Sequence, residues 1–275
     1  MSVHSDWDDW LLRDVDDATP ESLDLWYLGC NGFILKAADG TTIFIDPYLG
    51  TGDPPRTVRM IPVPFDPADV ASADAVLATH DHTDHTHGPS QAPILTGTDA
   101  TFYGPPASVD TAESWVEEFG VDPDDLSEVS EEDTIEVGSL TVHVEPAHDP
   151  DADHPVSYVV EHDSGTFFHG GDARPSDAFE EIGSRYDIDL AVVAFGSSGM
   201  ILDKRTREPK YTKWYSNENM AAEAANQLRT DRLLPTHWDM WKGLTADPSA
   251  LRDHVRGFEY PRTLDVLEIG DRTKL

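Results

Sequence analysis

Apolar residues in this chain come in short blocks separated by turn-forming residues, a pattern typical of buried β-strands. The first blocks lie at residues 23–28, 32–37 and 42–45, and the hairpin turn signal Asp39-Gly40 precedes the third. Later blocks of the same kind lie at residues 73–78, 134–144, 156–161, 166–169, 190–195 and 232–235. The pattern predicts a chain made mostly of short strands, with a strand, a turn and a second strand within residues 134–144.

Helical periodicity is confined to a few segments. Apolar residues from Trp7 to Val15 recur at helical spacing and predict a short helix inside an acidic N-terminal extension, residues 1–21. Further helices are predicted at residues 108–119, 217–229 and 248–256, whereas the Pro- and Gly-rich residues 50–68 predict an irregular loop. This order of elements favours sheets packed on each other with helices outside, in a single α/β domain over residues 22–275.

The charge of the chain narrows its possible partners. Its 53 acidic residues against 19 basic ones give a net charge of −34, spread over the whole sequence. Such a field repels phosphate backbones, so we expect no binding to a nucleic acid polymer and none to an acidic membrane. A uniformly acidic, Lys-poor surface is typical of proteins that stay hydrated in molar salt. We therefore expect a halophilic host, with an ordinary acidic mesophilic protein as the alternative.

Cysteine usage and hydropathy predict the compartment. Cys30 is the single cysteine, so no internal disulfide can form. The first residues show neither a basic segment nor an apolar core of a leader peptide, and no apolar run is long enough for a membrane helix. These features predict a soluble cytoplasmic protein.

A dense histidine cluster carries the clearest chemical signal. Four of the 12 histidines, His80, His82, His85 and His87, lie within eight residues, with Asp81 and Asp84 between them. The cluster follows the apolar block 73–78 and therefore opens a loop at the end of a predicted strand. Imidazole and carboxylate groups are good ligands for Zn²⁺, Mn²⁺ and iron ions, so the segment predicts a metal site.

Two divalent ions would need more ligands than this segment supplies. Three further candidates, His148, Asp172 and His237, each follow a predicted strand, and Asp172 comes directly after two glycines. A carboxylate placed where the backbone can approach closely suits a bridging ligand.

The ordered set His80-x-His82-x-Asp84-His85, His148, Asp172 and His237 resembles the metallo-β-lactamase superfamily. More narrowly, the chain is similar to the L-ascorbate 6-phosphate lactonase type, through the motif around His80, through Gly171-Asp172 and through residues 26–36 and 235–241. The resemblance implies a four-layer αβ/βα sandwich with the metal site at one edge of its two sheets.

The same resemblance implies a role for each candidate ligand. His80, His82 and His148 would hold a first metal ion, and Asp172 would bridge it to a second. Asp84, His85 and His237 would complete the second site, and Asp46 would orient the ligand loop from behind. Two divalent ions per chain are implied, with Mn²⁺ expected, Zn²⁺ the alternative and iron still open, and a homo-oligomer is expected.

The predicted activity is hydrolysis of a small anionic substrate, with lactone opening preferred. A hydroxide shared by the two ions would attack the acyl carbonyl, and Asp84 would accept or orient its proton. Two alternatives stay open: a phosphodiesterase acting on a small phosphodiester or cyclic nucleotide, and a metal-binding protein without catalysis. A di-iron redox protein of this fold is disfavoured, because those proteins carry Glu where His82 stands.

A basic segment points to the charge of the substrate. Five of the 19 basic residues fall within residues 204–213. An anionic substrate would need such a patch to cross the acidic field. The candidate substrate-binding residues are therefore Arg174, Lys204, Arg205 and Lys213. The alternative is a surface loop whose basic residues pair with nearby acids, within the chain or across a subunit contact.

Salt adaptation gives a direct prediction. If self-repulsion of the acidic surface limits the free energy of unfolding, added KCl stabilises the protein, because the Debye length falls to about 3 Å at 1 M. We expect the midpoint of thermal unfolding to rise by roughly 10 °C between 0.1 and 2 M KCl, measured by circular dichroism. A midpoint that stays level or falls would identify an ordinary acidic protein.

Overall fold

The computed structural model describes residues 3–275 and contains two seven-stranded sheets. Six strands of the first sheet come in chain order, and its seventh is supplied by the C-terminus. These strands are β1 (Asp24–Gly29), β2 (Gly32–Lys36), β3 (Thr42–Ile45), β4 (Ala75–Leu77), β5 (Thr101–Gly104) and β6 (Leu126–Glu128). The second sheet contains β7 (Thr134–Val137), β8 (Leu140–Pro146), β9 (Val156–His162), β10 (Gly165–His169) and β11 (Leu190–Ala194).

The remaining strands follow β11. A hairpin of β12 (Gly199–Leu202) and β13 (Pro209–Thr212) stands apart as a two-stranded sheet. The strands β14 (Arg232–Thr236) and β15 (Thr263–Leu264) extend the second sheet, and β16 (Arg272–Lys274) pairs antiparallel with β1 in the first.

Seven helices cover the outer faces of the sheets in the described chain. They are α1 (Trp10–Asp17), α2 (Gly88–Gly97), α3 (Pro106–Ala112), α4 (Ser114–Phe119), α5 (Asp177–Arg185), α6 (Glu218–Gln227) and α7 (Leu251–Val255). No helix among residues 3–275 is long and apolar enough to cross a membrane.

Three layers of buried side chains show how the sheets and helices stack. The layer between the sheets includes Phe33 and Phe167, which meet at 5.9 Å between ring centroids. Successive strand residues face opposite sides, so Phe168 lies in a second layer and packs at 5.3 Å on Phe179 of α5. Phe102 of β5 meets Trp115 of α4 in the third layer. This helix, sheet, sheet, helix order confirms the predicted four-layer sandwich.

The N-terminal helix packs on the body of the chain. Leu11, Leu12 and Val15 of α1 are buried in the layer outside the first sheet. The indole nitrogen of Trp26 donates a hydrogen bond of 2.7 Å to Asp14. The division of the chain into an extension, residues 1–21, and a domain, residues 22–275, stays a prediction.

Strand direction explains where the site lies. In the first sheet β3 runs parallel to β4, and in the second β10, β11 and β14 are parallel. The carboxyl ends of parallel strands meet at one edge of a sheet, where ligands commonly bind. Asp46, Thr79, Asp172 and His237 follow these ends directly or within three residues.

Candidate metal centre

The loop after β4 is fixed by its own hydrogen bonds. The amides of His85 and Thr86 both donate to the His82 carbonyl at 2.8 Å. The Thr86 hydroxyl donates to the His80 carbonyl, and the Gln91 side chain of α2 donates to the His85 carbonyl, each at 2.7 Å. These bonds tie the histidine loop to itself and to the following helix, so its side chains have defined directions.

Asp46 supports this loop from below. It is fully buried, and its Oδ1 accepts a 2.8 Å hydrogen bond from the Thr79 amide. Its Oδ2 accepts from the Thr79 hydroxyl and from His85 Nδ1, both at 2.7 Å. With Nδ1 donating to a carboxylate, His85 turns its Nε2 toward the other candidate ligands, the arrangement typical of metal-binding histidines. The structure thus places Asp46 where it orients a candidate ligand.

His80 is oriented through the same threonine. Its Nδ1 lies 3.0 Å from the Thr79 hydroxyl oxygen, whose hydrogen is given to Asp46. His80 Nδ1 is then the donor, and His80 Nε2 is left for a ligand. A single buried Asp–Thr pair therefore sets the ring orientation of two histidines.

Four candidate ligands form one buried group. The ligand atoms of Asp84, His85, Asp172 and His237 all lie within 4.8 Å of one another. His237 Nε2 is 3.0 Å from Asp172 Oδ1, and His85 Nε2 is 3.4 Å from Asp172 Oδ2. His237 has a positive φ of 63° and its amide donates to the Cys30 carbonyl, which turns its ring toward Asp172.

A second group adjoins the first. His80, His82 and Asp172 also bring their ligand atoms within 4.8 Å of one another, and His80 Nε2 lies 2.9 Å from His82 Nδ1. Asp172 belongs to both groups, as expected of a bridging carboxylate. Gly171, at φ 54°, permits this position, since a Cβ there would lie 2.7 Å from the Thr79 hydroxyl oxygen.

For the third ligand of this second group, the structure offers a different residue from the expected His148. The His148 side chain is exposed and belongs to neither group, although its carbonyl accepts a hydrogen bond from the Arg174 amide. The neighbouring Asp149 is buried, and its Oδ2 lies 3.8 Å from both His80 Nε2 and His82 Nδ1. After β8 the backbone turns so that residue 149, and not residue 148, faces the histidines.

The charges in the two groups complement each other. Burial by itself would raise the pKa of Asp172, but positive charge on His237 and His85 lowers it well below its usual value. Burial by itself would lower the pKa of His85, but Asp172 and Asp46 raise it well above its usual value. Burial, and then His85, lower the pKa of His80, which favours the neutral imidazole that binds metals.

The residues fit a metal centre. His85 Nε2 and Asp172 Oδ1 are buried and form no hydrogen bond of good geometry among the described residues, although His237 Nε2 lies 3.0 Å from Asp172 Oδ1. Buried polar atoms are nearly always paired. Both atoms are metal-ligand types, and both belong to the group of four. A cation bound through their lone pairs would explain why two buried ligand-type atoms converge without such bonds.

A cavity of about 590 Å³ opens onto these groups. Four of the candidate ligands line its wall: His82, Asp84, Asp149 and Asp172. Asp81 lines it as well, and the other wall residues include Tyr48, Trp214, Tyr215 and Trp241. Its volume is in the range of small-molecule sites. His87, the fourth histidine of the cluster and not a predicted ligand, is absent from the wall, and its Nδ1 lies 2.7 Å from the Ser90 hydroxyl.

The four expected substrate-binding residues divide into two pairs. Lys204 and Lys213 line the cavity, whereas Arg205 and Arg174 do not. Arg174 donates from one guanidinium nitrogen to the carbonyls of Lys213 and Trp214, so it holds the chain after β13 in place. Arg56 and Lys210 also line the cavity, although neither was among the predicted substrate-binding residues. Arg56 lies in the irregular loop, where no periodicity indicates which side chains face inward.

Comparison with known proteins agrees with this geometry. A family model described as "Beta-lactamase superfamily domain" matches residues 41–238. The chain is 26% identical to the "Probable L-ascorbate-6-phosphate lactonase UlaG" of Escherichia fergusonii, over 92% of this chain and 80% of that protein. The Salmonella newport protein of the same description is also 26% identical, with the same coverage.

Solved structures share the fold at lower identity. The metallo hydrolase Igni18 of Ignicoccus hospitalis is 19% identical with a TM-score of 0.67, covering 92% of this chain and 98% of its own. The metallo-β-lactamase fold protein YhfI of Bacillus subtilis is 16% identical with a TM-score of 0.64, covering 93% of this chain and all of its own. The family model covers more than half of the chain, and the protein therefore belongs to the β-lactamase superfamily and has the metallo-β-lactamase fold.

Proposed function

We propose that this protein hydrolyses a small anionic lactone with the help of two divalent metal ions. The observation that carries the proposal is the pair of His/Asp groups sharing Asp172 at a cavity that cationic side chains also line. The similarity to proteins described as L-ascorbate-6-phosphate lactonases supports a lactone as the substrate class.

The chain's own side chains define which residues would hold the ions. His80, His82 and Asp149 surround one position; Asp84, His85 and His237 surround the other; and Asp172 faces both. Mn²⁺ or Zn²⁺ suits these nitrogen and oxygen donors, and iron does as well. Such ions, when bound, lower the pKa of a coordinated water and polarise a carbonyl.

Asp84 would handle the proton of the attacking water. Its side chain is 17% exposed, at the cavity wall, and its Oδ2 lies 4.0 Å from His85 Nε2. The carboxylate therefore faces both the ligand group and the space a substrate would fill, as a general base must. In lactone opening the alkoxide that leaves stays tethered to the product, so the demand for a separate acid is small.

Tyr48 can bind the substrate from the cavity wall. Its hydroxyl oxygen accepts a 3.0 Å hydrogen bond from the Gly52 amide, which leaves its own hydrogen for a ligand oxygen. Burial, then the charge of Asp84, raise the pKa of Tyr48, so the phenol stays protonated. Seven aspartates also line the cavity (Asp53, Asp81, Asp84, Asp149, Asp151, Asp172 and Asp203), which supports a small substrate over a nucleic acid polymer.

Activity on a defined panel tests the proposal. The Mn²⁺-loaded protein should open sugar lactones that carry an anionic group faster than it cleaves small phosphodiesters or cyclic nucleotides. Asp84→Asn should lower kcat for lactone opening by about 10²- to 10⁴-fold, because the general base is lost. Asp153→Asn makes the same chemical change at an exposed carboxylate and should leave kcat unaltered. If the protein cleaves only phosphodiesters, a lactone is the wrong substrate class. If it turns over neither class, it is a metal-binding protein without catalysis.

Metal content tests whether Asp149, and not the predicted His148, is a metal ligand. Asp149→Ala should reduce the bound metal from about two ions per chain toward one, because one position loses a carboxylate ligand. His148→Ala, which removes an exposed side chain, should leave the metal content unchanged. Elemental analysis after gel filtration measures both, with thermal unfolding as a check on folding. If only His148→Ala loses metal, His148 and not Asp149 is the ligand, as the sequence predicted.

A further inference from the structure

Cationic side chains occupy part of the cavity wall in a chain with a large acidic excess. Arg56, Lys204, Lys210 and Lys213 line the cavity, whereas the whole chain has 19 basic residues against 53 acidic ones. A cluster of cations at the cavity that opens onto the metal groups is therefore not a consequence of composition.

Three of these cations have no carboxylate partner. Within residues 3–275, Arg56, Lys204 and Lys213 form no ion pair, and Lys210 reaches Asp203 only at 4.0 Å. Some of the other arginines are ion-paired: Arg207 lies 2.8 Å from Asp53, and Arg232 lies 2.7 Å from Asp265. Among so many acids, cavity cations that are left unpaired are available to an anion from outside.

Arg56 is the most precisely placed of the three. Its guanidinium carbon lies 5.2 Å from the centroid of the Trp214 ring. Its Nε is buried and has no hydrogen-bond partner in the described chain, and an unsatisfied buried donor is costly. A planar guanidinium with free N–H groups matches the oxygens of a phosphoryl or carboxylate group.

The loop around Arg56 is held in place by hydrogen bonds. The amides of Arg56 and Thr57 both donate to the Asp53 carbonyl, at 2.8 and 3.1 Å. The Asp53 amide donates back to the Thr57 hydroxyl at 2.9 Å, and Asp53 also pairs with Arg207 of the β12–β13 hairpin. The guanidinium is therefore carried by an ordered turn, which lowers the entropy lost when it binds an anion.

A run of aromatic rings connects Arg56 with the metal groups. Trp214 contacts Tyr215 at 6.3 Å between ring centroids, and Tyr215 stacks on His237 at 4.3 Å. Trp214 and Tyr215 both line the cavity together with Arg56. Arg56 and the ligand-type residues His82, Asp84, Asp149 and Asp172 thus border the same cavity, at different parts of its wall.

We propose that Arg56, assisted by Lys204 and Lys213, is the specificity-determining residue of this site and binds a terminal oxyanion of the substrate. The inference rests on the proposed function for the reacting end of the substrate. Arg56 takes no part in bond breaking; it selects molecules that carry a phosphoryl or carboxylate group away from the ester.

Anion binding without turnover tests this assignment. Inorganic phosphate and acetate are titrated calorimetrically into the metal-loaded wild-type protein and into Arg56→Gln, Arg56→Lys and Arg252→Gln at one fixed ionic strength. Arg252 lies exposed on α7, and its variant makes the same change in net charge. Arg56→Gln should weaken binding of the preferred anion at least about tenfold, since charge-assisted hydrogen bonds are lost. Arg56→Lys should fall between Arg56→Gln and wild type, because an ammonium cannot bind in the forked geometry.

The choice of anion identifies the substrate group. Binding of phosphate that depends on Arg56 indicates a phosphoryl group, and binding of acetate that depends on Arg56 indicates a carboxylate. Equal affinities of Arg56→Gln and Arg252→Gln for both anions would overturn the inference. Matching thermal unfolding midpoints of the variants show that a loss of binding does not come from misfolding.

Kinetics separate this inference from the proposed function. For a lactone that carries the anionic group, Arg56→Gln should raise KM about tenfold with kcat within twofold of wild type. The same lactone without that group should show no change in KM. If no lactone is hydrolysed but phosphate or acetate binding still depends on Arg56, the proposed reaction fails and the anion site stands. If lactones are hydrolysed with a KM that does not respond to Arg56→Gln, the anion site fails and the reaction stands.

Discussion

The buried carboxylate of Asp46 is the constraint on which the metal centre depends. Without solvent around it, this group must have its charge satisfied by nearby donors. The Thr79 amide, the Thr79 hydroxyl and His85 Nδ1 supply them at 2.7–2.8 Å. Each of these donors belongs to the histidine loop or to the residue before it. Satisfying one carboxylate at the end of β3 therefore fixes the start of the loop after β4, and with it the ring directions of His80 and His85.

The second sheet positions its ligands through residues with positive φ after two of its strands. Asp172 and His237 follow β10 and β14, and both lie at or next to residues with positive φ: Gly171 at 54° and His237 at 63°. Such backbone conformations are uncommon outside glycine and persist where the surroundings hold them in place. Two contacts hold His237 in place. Its amide donates to the Cys30 carbonyl, and Tyr215 stacks on its ring. The site thus needs both sheets at their observed separation, and the buried layer between them sets that separation.

Most of the fold could be predicted because its strands are buried runs of apolar residues. The segments 23–28, 32–37, 42–45 and 190–195 correspond to strands within one or two residues at each end. Helix α2 was missed because it is buried on nearly all sides and includes Pro93, so it lacks an amphipathic period. Strand β16, with the polar sequence Arg-Thr-Lys, shows no apolar pattern and is recognisable only from its pairing with β1.

The candidate site was predictable where spacing alone settles the geometry. The His80-x-His82-x-Asp84-His85 motif is local, so the sequence alone places its residues on one loop, and Asp46 and Thr79 then set the ring directions. For His148 and Asp149 the sequence leaves two adjacent ligand-type residues after β8, and only the turn of the backbone decides which one faces inward. The position of Arg56 at the cavity could not be predicted for a related reason. It depends on hydrogen bonds within the turn at Asp53 and not on any periodic pattern.

Charge separation within the cavity follows from these placements. The carboxylates of Asp84, Asp149 and Asp172 lie beside histidines, where bound cations would offset their charge. Arg56, Lys204 and Lys213 are left without such partners on the same wall. In water each charge would be screened, but the effective dielectric constant falls inside a cavity and strengthens interactions with a bound anion. A molecule with an electrophilic carbonyl at one end and an anionic group at the other matches this distribution, and a neutral molecule of the same size would leave the cations unpaired.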